Sequence, residues 1–331
     1  MNNNNNFFNE ITYRDALRLS INDIMSNNKN VFIMGVDVGL YGGAYGVTKG
    51  LIEKFGKKRI IDAPISEAAI VGSAIGAAMT GIRPIIELMY IDFFPMAMDQ
   101  IANQAAKIRY MFGGQAGVPL IIRTQGGTGR SAGAQHSQSL ESWIMHIPGL
   151  YLFAPSTPND AYHLLKKAST LNDPTIFIEH KLLYNTKGKL DKKNNYKSFD
   201  KAIVRQEGND VTIISYSRMM NLVKEASTYL QDLNISVEII DLRSLKPFDK
   251  ETLIKSVKKT KKALIVSESH YTSSVASEIS STIFEHCYKF LSKPVLRYTA
   301  EDVPFPSSTN LEKASIPTVD GIINIVKKLF I

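Results

Sequence analysis

The sequence predicts an α/β protein made of two consecutive three-layer α/β/α domains with mostly parallel sheets. Three observations carry that prediction. Short, nearly continuous apolar runs alternate with helical segments, as expected of parallel strands covered on both faces. The alternation stops at a polar, lysine-rich stretch, "NTKGKLDKKNNYKSFDKAIVR" (185–205), and then restarts. The chain has 331 residues, enough for two domains of ordinary size with a core each.

In the first half the candidate strands are "NVFIMGVD" (30–37), "RIIDA" (59–63), "RPIIEL" (83–88), "VPLIIRTQ" (118–125), "LYLFAPS" (150–156) and "PTIFIEH" (174–180). Helical patterns fill 13–27, 66–80, 95–112, 138–146 and 158–171. A first domain over 1–190, a linker over 191–205 and a second domain over 206–331 follow from the composition shift. In the second domain the strands are "DVTIISYS" (210–217), "SVEIIDLRS" (236–244), "KALIVSES" (262–269) and "PVLRYT" (294–299). Helices lie between them at 218–232, 249–259 and 273–289, and an amphipathic helix closes the chain at 318–330.

Composition bounds the function. Hydrophobic content of 44% and charged content of 21% are those of a soluble globular protein. The single cysteine, Cys287, excludes an internal disulfide framework and fits a reducing compartment. Residues 2–6 are an asparagine run expected to be disordered, and no basic-then-apolar secretory signal follows it. The longest uncharged run, 68–82, is too short to span a bilayer and ends at Arg83-Pro84. The expectation is a cytoplasmic protein without a membrane span. Net charge is +8, with lysines grouped at 54–59, 187–193 and 255–262. No nucleic-acid motif or aromatic interleaving accompanies them, so they are read as solvated surface and nucleic acid is not expected as a partner.

Two glycine-rich turns follow strands. "GVDVGLYGGAYG" (35–46) lacks the spacing of a dinucleotide fingerprint, and no Walker A sequence occurs. The sequence thus offers no phosphate cradle. "RTQGGTGRSAGAQHSQS" (123–139) delivers His136 on the carboxyl side of a strand, where open α/β sheets hold ligands. A histidine there could be a general acid or base, or an ordinary surface residue. His146 and His180 are read as structural, and His163, His270 and His286 have no metal-ligand partners at useful spacing.

The stretch "PISEAAIVGSAIGAAM" (64–79) opens an apolar helix on one carboxylate, Glu67. Ser66 could cap that helix and Glu67 could serve its dipole. A carboxyl among alanines and isoleucines is also suited to a raised pKa and to catalysis. Gly72 and Gly76, with Ala68 and Ala69 one turn earlier, give the same helix a small-residue face open to close packing.

Six segments then carry a resemblance. "DAPISEAAIVGSAIGAAMTGIRPIIELM", "DQIANQAAKIRYMFGGQ", "GAQHSQSLESWIMHIPGL", "APSTPNDA", "IFIEHKLLY" and "DLRSLKPFD" are similar, in order, to the β subunit of thiamine diphosphate-dependent 2-oxo acid dehydrogenases. The similarity covers roughly residues 10 to 330. "NQAAKIRYMFGGQ" and "EHKLLY" look most like the acetoin dehydrogenase branch, with the pyruvate dehydrogenase branch next. The resemblance implies a pyrimidine-binding domain of transketolase type followed by a transketolase C-terminal-type domain. It implies an α2β2 heterotetramer in which the α subunit binds the diphosphate and Mg²⁺ and the β subunit binds the aminopyrimidine. That division would explain the missing phosphate motif. Further implied partners are a second β subunit and a lipoyl acyltransferase core.

By the same resemblance Glu67 matches the glutamate that hydrogen-bonds the pyrimidine ring nitrogen of thiamine diphosphate. His136 matches the histidine near the reacting carbon, which moves protons and supports acyl transfer to lipoyl-lysine. Met89 and Phe93 take positions that wall the pyrimidine, with Met96 nearby where many relatives carry glutamine; taken singly, each could be ordinary core. A K⁺ site of some relatives would fall on Leu120, Ala168, Leu171 and Asp173, with Leu171 in place of a common aspartate. The helix bearing Gly72 and Gly76 would meet another subunit. The activity implied is removal of an acyl unit from acetoin or a pyruvate-like 2-oxo acid and its transfer to lipoate. The alternative is a two-subunit carboligase or transketolase-like enzyme not coupled to lipoate.

Overall fold

The computed structural model describes residues 9–193 and 198–331, so the asparagine run lies outside the described residues. The first domain is organised on a seven-stranded sheet in the order Ser244–Lys246, Tyr151–Phe153, Thr175–His180, Ile121–Gly126, Arg83–Leu88, Val31–Gly35, Ile60–Asp62. Six of these strands run parallel; Ser244–Lys246 pairs antiparallel with Tyr151–Phe153. The central strands Ile121–Gly126 and Thr175–His180 are buried at every position, and each carries apolar residues with a buried polar end. Helices Tyr13–Asn27 and Pro158–Ala168 cover one face, and helix Glu67–Met79 with the segments around it covers the other.

The second sheet has five strands in the order Leu296–Ala300, Ala263–His270, Val211–Ser215, Val237–Asp241, Ile203–Gln206. All are parallel except the edge strand Ile203–Gln206. Helices Met219–Asp232 and Val319–Lys328 pack on one face, and Lys250–Thr260 with Val275–Cys287 on the other. One apolar cluster joins the domains: Ile86, Ile122 and Ile144 share it with Ile214, Ile240 and Leu245.

Several elements depart from the sequence expectation. The stretch 95–112 is not one helix. It is a 3₁₀ segment Ile91–Ala97, a π-helical segment Gln100–Ala105 and a short α-helix Ala106–Met111. Pro95 within the first segment has no N–H to give to an α-helical ladder. The run 236–244 is two strands: Val237–Asp241 stays in the second sheet, whereas Ser244–Lys246 crosses to the edge of the first. Residues 203–206, within the stretch read as linker, form the edge strand of the second sheet, and Lys187–Leu190 pairs with Asn9–Thr12 in a two-stranded ribbon. No helix among the described residues is long and apolar enough to cross a membrane.

Candidate functional site

Five neighbouring parallel strands of the first sheet end on the same edge, at Gly35, Asp62, Leu88, Gly126 and His180. The segments that leave there carry Glu67, Met89, Phe93 and His136. Open α/β sheets bind ligands at this edge because several loops converge there above a rigid platform.

Glu67 is the first residue of helix Glu67–Met79 and is 6% exposed. Its Oε2 is buried without a hydrogen-bond partner. Ser66 does not cap the helix through its side chain; it sits at φ −164°, ψ 82° with no side-chain cap bond. The side-chain cap expected of Ser66 is thus absent, while Glu67 does stand in the first turn, where an acid suits the helix dipole. An unsatisfied buried acceptor costs about 1–3 kcal/mol, more if charged, so such an atom fits a site that a ligand donor completes. The pyrimidine ring of thiamine diphosphate offers a nitrogen that can share a proton with a carboxyl.

The helix is set by its packing. Ile70, Val71 and Ala74 share a cluster with Ile91, Phe94 and Ala97 of the 3₁₀ segment. That segment also holds the glycine-rich loop, since Gln138 donates its backbone N–H to Asp92 Oδ1 at 3.0 Å. One short segment thus fixes both the Glu67 helix and the His136 loop. The His136 ring stands edge-on to Tyr90, centroids 5.2 Å apart, and to Phe93 at 5.6 Å. Tyr45 completes the aromatic group against Tyr90 at 6.3 Å. Met89 is half-buried at the end of its strand. Met96 is 63% exposed and takes no part in the packed cluster.

Sequence reasoning missed Lys181. It lies directly after strand Thr175–His180, is buried, and donates Nζ to the carbonyls of Gly127 (3.1 Å) and His136. Nζ also lies 4.9 Å from the centroid of Tyr90. Burial lowers its pKa, partly offset by the charges of Asp92 and Glu268. A lysine in "EHKLLY" gives no signal of this, because its partners lie some 45 to 54 residues away.

Behind the aromatic group lies a buried charge network. Arg123 binds Glu179 through two bonds of 2.7 and 2.9 Å and Glu87 through one of 2.8 Å. Tyr184 donates to Glu179 at 2.7 Å. The bidentate geometry fixes three adjacent strands side by side at the level of the site.

The remaining sequence expectations fall elsewhere. His146 is exposed, while His180 is buried and meets Glu268 of the second domain. The oxygens proposed for K⁺ are already engaged. Arg83 donates to the Leu171 carbonyl at 2.8 Å, Arg109 pairs with Asp173 at 3.1 Å, and Thr175 N–H bonds the Leu120 carbonyl at 2.8 Å. The Ala168 carbonyl accepts from Leu171 N–H at 3.1 Å. The guanidinium groups of Arg83 and Arg109 thus stand beside the oxygens expected to hold K⁺. Among the described residues no group of three or more His, Cys, Asp or Glu side chains could hold a metal ion. Gly72 and Gly76 do not pack inward. They are exposed, and a side chain at Gly76 would meet nothing within 4 Å. A concavity of about 960 Å³ between Tyr271 and Arg297 belongs to the second domain and not to this edge.

A half-site of this kind, with a base partner for a ring and no phosphate cradle in the sequence, on two α/β domains in series, is that of a transketolase-class chain. Residues 9–187 match the family described as "Transketolase, pyrimidine binding domain", and residues 200–322 match "Transketolase, C-terminal domain". A solved structure described as "Split gene transketolase, inactive beta4 tetramer" shares the fold, with a TM-score of 0.80 at 20% identity over 96% of this chain and 98% of that one. Among relatives, the pyruvate dehydrogenase E1 component subunit beta of Gracilaria tenuistipitata var. liui is 44% identical, over 97% of this chain and 99% of its own. The protein of the same name from Cyanidium caldarium is 46% identical, over 95% of this chain and 96% of its own. The chain belongs to the β-subunit family of the thiamine diphosphate-dependent 2-oxo acid dehydrogenases. These relatives are named for pyruvate, whereas the sequence motifs pointed first to the acetoin branch.

Proposed function

We propose that this chain, with an α subunit in an α2β2 tetramer, forms the component that cleaves a pyruvate-like 2-oxo acid and passes the acyl unit to lipoyl-lysine of an acyltransferase core. The buried, unpartnered Oε2 of Glu67 at the carboxyl edge of the sheet carries the proposal. Thiamine diphosphate, when bound, supplies a ring carbon that adds to a carbonyl and takes up the electrons released on cleavage. Glu67 would share a proton with the pyrimidine nitrogen, and Phe93 and Met89 would wall that ring. His136, held by Tyr90 and Phe93, would hold or give a proton beside the substrate carbonyl.

The α subunit would supply the diphosphate and Mg²⁺ contacts that this sequence lacks. Exposed apolar side chains near the site support such a partner: Leu40 and Tyr41 on the first glycine-rich turn and Ile65 before Glu67 are each more than 70% exposed. The small, exposed face of Gly72 and Gly76 offers close approach to a further subunit, the second β chain.

The test is Glu67→Gln, co-purified with its α partner. Expected are intact assembly and a rate of cofactor C2–H exchange lower by about 100-fold or more, the usual worth of a positioned acid or base. Normal exchange in that variant would refute the assignment. Acetoin as substrate is the second reading, favoured by "NQAAKIRYMFGGQ" and "EHKLLY". Reconstituted α and β chains assayed for lipoamide acylation from pyruvate and from acetoin separate the two. Carboligation without acylation of lipoamide would sink the coupling to lipoate.

A further inference from the structure

The loop that carries His136 begins at the end of strand Ile121–Gly126, and its first turn is bound from outside its own domain. Thr128 donates both its backbone N–H, at 3.1 Å, and its hydroxyl to Glu268 Oε1. Gly129 N–H donates to Glu312 Oε1 at 3.0 Å, and Ser131 N–H to Glu312 Oε2 at 3.1 Å. Glu268 lies on strand Ala263–His270 and Glu312 on helix Thr309–Ala314, both in the second domain. Both carboxylates are buried, at 6% and 2% exposure. Charge-assisted bonds from backbone N–H groups to a buried carboxylate are stronger than neutral ones and fix geometry.

Glu268 is itself locked on its far side. Its Oε2 meets His180 Nε2 at 2.6 Å, and Arg218 Nη1 donates to Oε1 at 3.0 Å. Burial works against ionisation of Glu268, but His180, Arg218 and Thr128 outweigh it and hold the carboxyl well below the usual carboxylate range.

The loop sequence is fitted to this grip. Gly127 and Gly129 have φ of +87° and +96°, and a Cβ on either would run into His180 or Leu182 respectively. Ser131 takes φ +52° without being glycine, a conformation that persists only where surroundings over-determine it. Its N–H is the one that Glu312 receives. Downstream, Lys181 ties the Gly127 and His136 carbonyls to one ammonium, so the held turn and His136 are linked through a single side chain.

We propose that Glu268 and Glu312 are positioning residues: the second domain uses two buried carboxylates to hold the 127–131 turn and thereby places His136 at the carboxyl edge of the first sheet. This rests on the role given to His136 above. Neither residue touches substrate or cofactor; each acts through the loop. The second domain is then part of the catalytic apparatus and not only a surface for assembly.

The test is Glu312→Gln in the full chain, read by hydrogen–deuterium exchange and, with the α partner, by turnover. The amide keeps one acceptor for two N–H groups, so one bond is lost while volume is kept. Exchange over 127–136 should rise at least about ten-fold with other peptides unchanged, and kcat should fall by about ten-fold at unchanged KM, as expected when a catalytic group is misplaced without loss of substrate contacts. Ser131→Ala, which removes only the Ser131 hydroxyl contacts to Glu312 and Thr309, should shift both readouts the same way by less. It serves should the first variant not fold. Unchanged exchange in the loop would overturn the proposal whatever happens to turnover. Raised exchange with unchanged kcat would overturn the positioning role. His136→Ala, run in parallel, isolates the other possibility: if it turns over normally, the role of His136 fails while the exchange result still decides whether the loop is held.

Discussion

Glu141 gives the sharpest quantitative prediction. It opens helix Glu141–His146 on the side of the first domain that faces the second, is 7% exposed, and leaves Oε2 without a partner. Burial, with a smaller contribution from the Glu268 charge, pushes its pKa from 4.5 up to about 7. The buried Tyr216 also feels its charge. Below pH 4.5 the folded and unfolded chains both hold the proton, and the group costs nothing. Between pH 4.5 and about 7 the unfolded chain loses the proton and the folded chain keeps it, so stability falls as pH rises. At about 1.4 kcal/mol per pH unit over that interval, the loss is about 3 kcal/mol by pH 8. Glu141→Gln removes the titration. Its amide hydrogens need an acceptor, which costs about 1 kcal/mol at every pH and cancels when one pH is compared with another. The melting-temperature difference, variant minus wild type, should therefore rise between pH 5 and 8 by roughly 5 °C, taking about 2 °C per kcal/mol for a chain of this size. Thermal scans of both proteins in matched buffers measure it. A difference that stays flat across that range would show that Glu141 ionises normally in the folded chain.

Two further outcomes follow from the scaffold. Arg123→Met would leave Glu87 and Glu179 buried without their cation and should cost about 3–5 kcal/mol at neutral pH. That cost should shrink as the pH is lowered toward 5 and Glu179, whose pKa burial raises, takes up a proton; an equal loss at pH 5 and 8 in urea titrations would contradict it. Gly149 sits at φ +96°, and a Cβ there would run into the Ala106 carbonyl. Gly149→Ala should lower stability by about 1–3 kcal/mol, and wild-type denaturation midpoints would show that the turn before strand Tyr151–Phe153 yields freely.

The parts of the fold that were legible in sequence are those that bury both faces. Strands such as Arg83–Leu88 and Thr175–His180 read as strands because no side of them meets water. Ile203–Gln206 and Ser244–Lys246 are edge strands of four and three residues, too short to leave a pattern. The stretch 95–112 reads as one helix, yet it is divided among a 3₁₀ segment that holds Pro95, a π-helical segment and a short α-helix, and periodicity does not distinguish those. At the site, Glu67 was legible because a lone acid in an apolar run demands a reason, and His136 because a glycine-rich turn delivers it. Lys181, Glu268 and Glu312 were not, since their meaning lies in partners 45 to 183 residues distant. Glu268 in particular reads as one polar residue in a strand, and only its bonds to Thr128, His180 and Arg218 give it a role.

The strand Ser244–Lys246 has a consequence for how the chain is made. It completes the edge of the first sheet, where Ala154 N–H bonds the Arg243 carbonyl at 2.8 Å and Lys246 Nζ reaches the Met145 and Ile147 carbonyls at 2.6 Å each. During synthesis the first 190 residues emerge well before it does. Until then strand Tyr151–Phe153 presents a bare edge, the kind of surface that invites pairing with another chain. The order in which the ribosome delivers this protein and the order in which its first sheet closes are out of step, and the nascent first domain must wait for its neighbour to be protected.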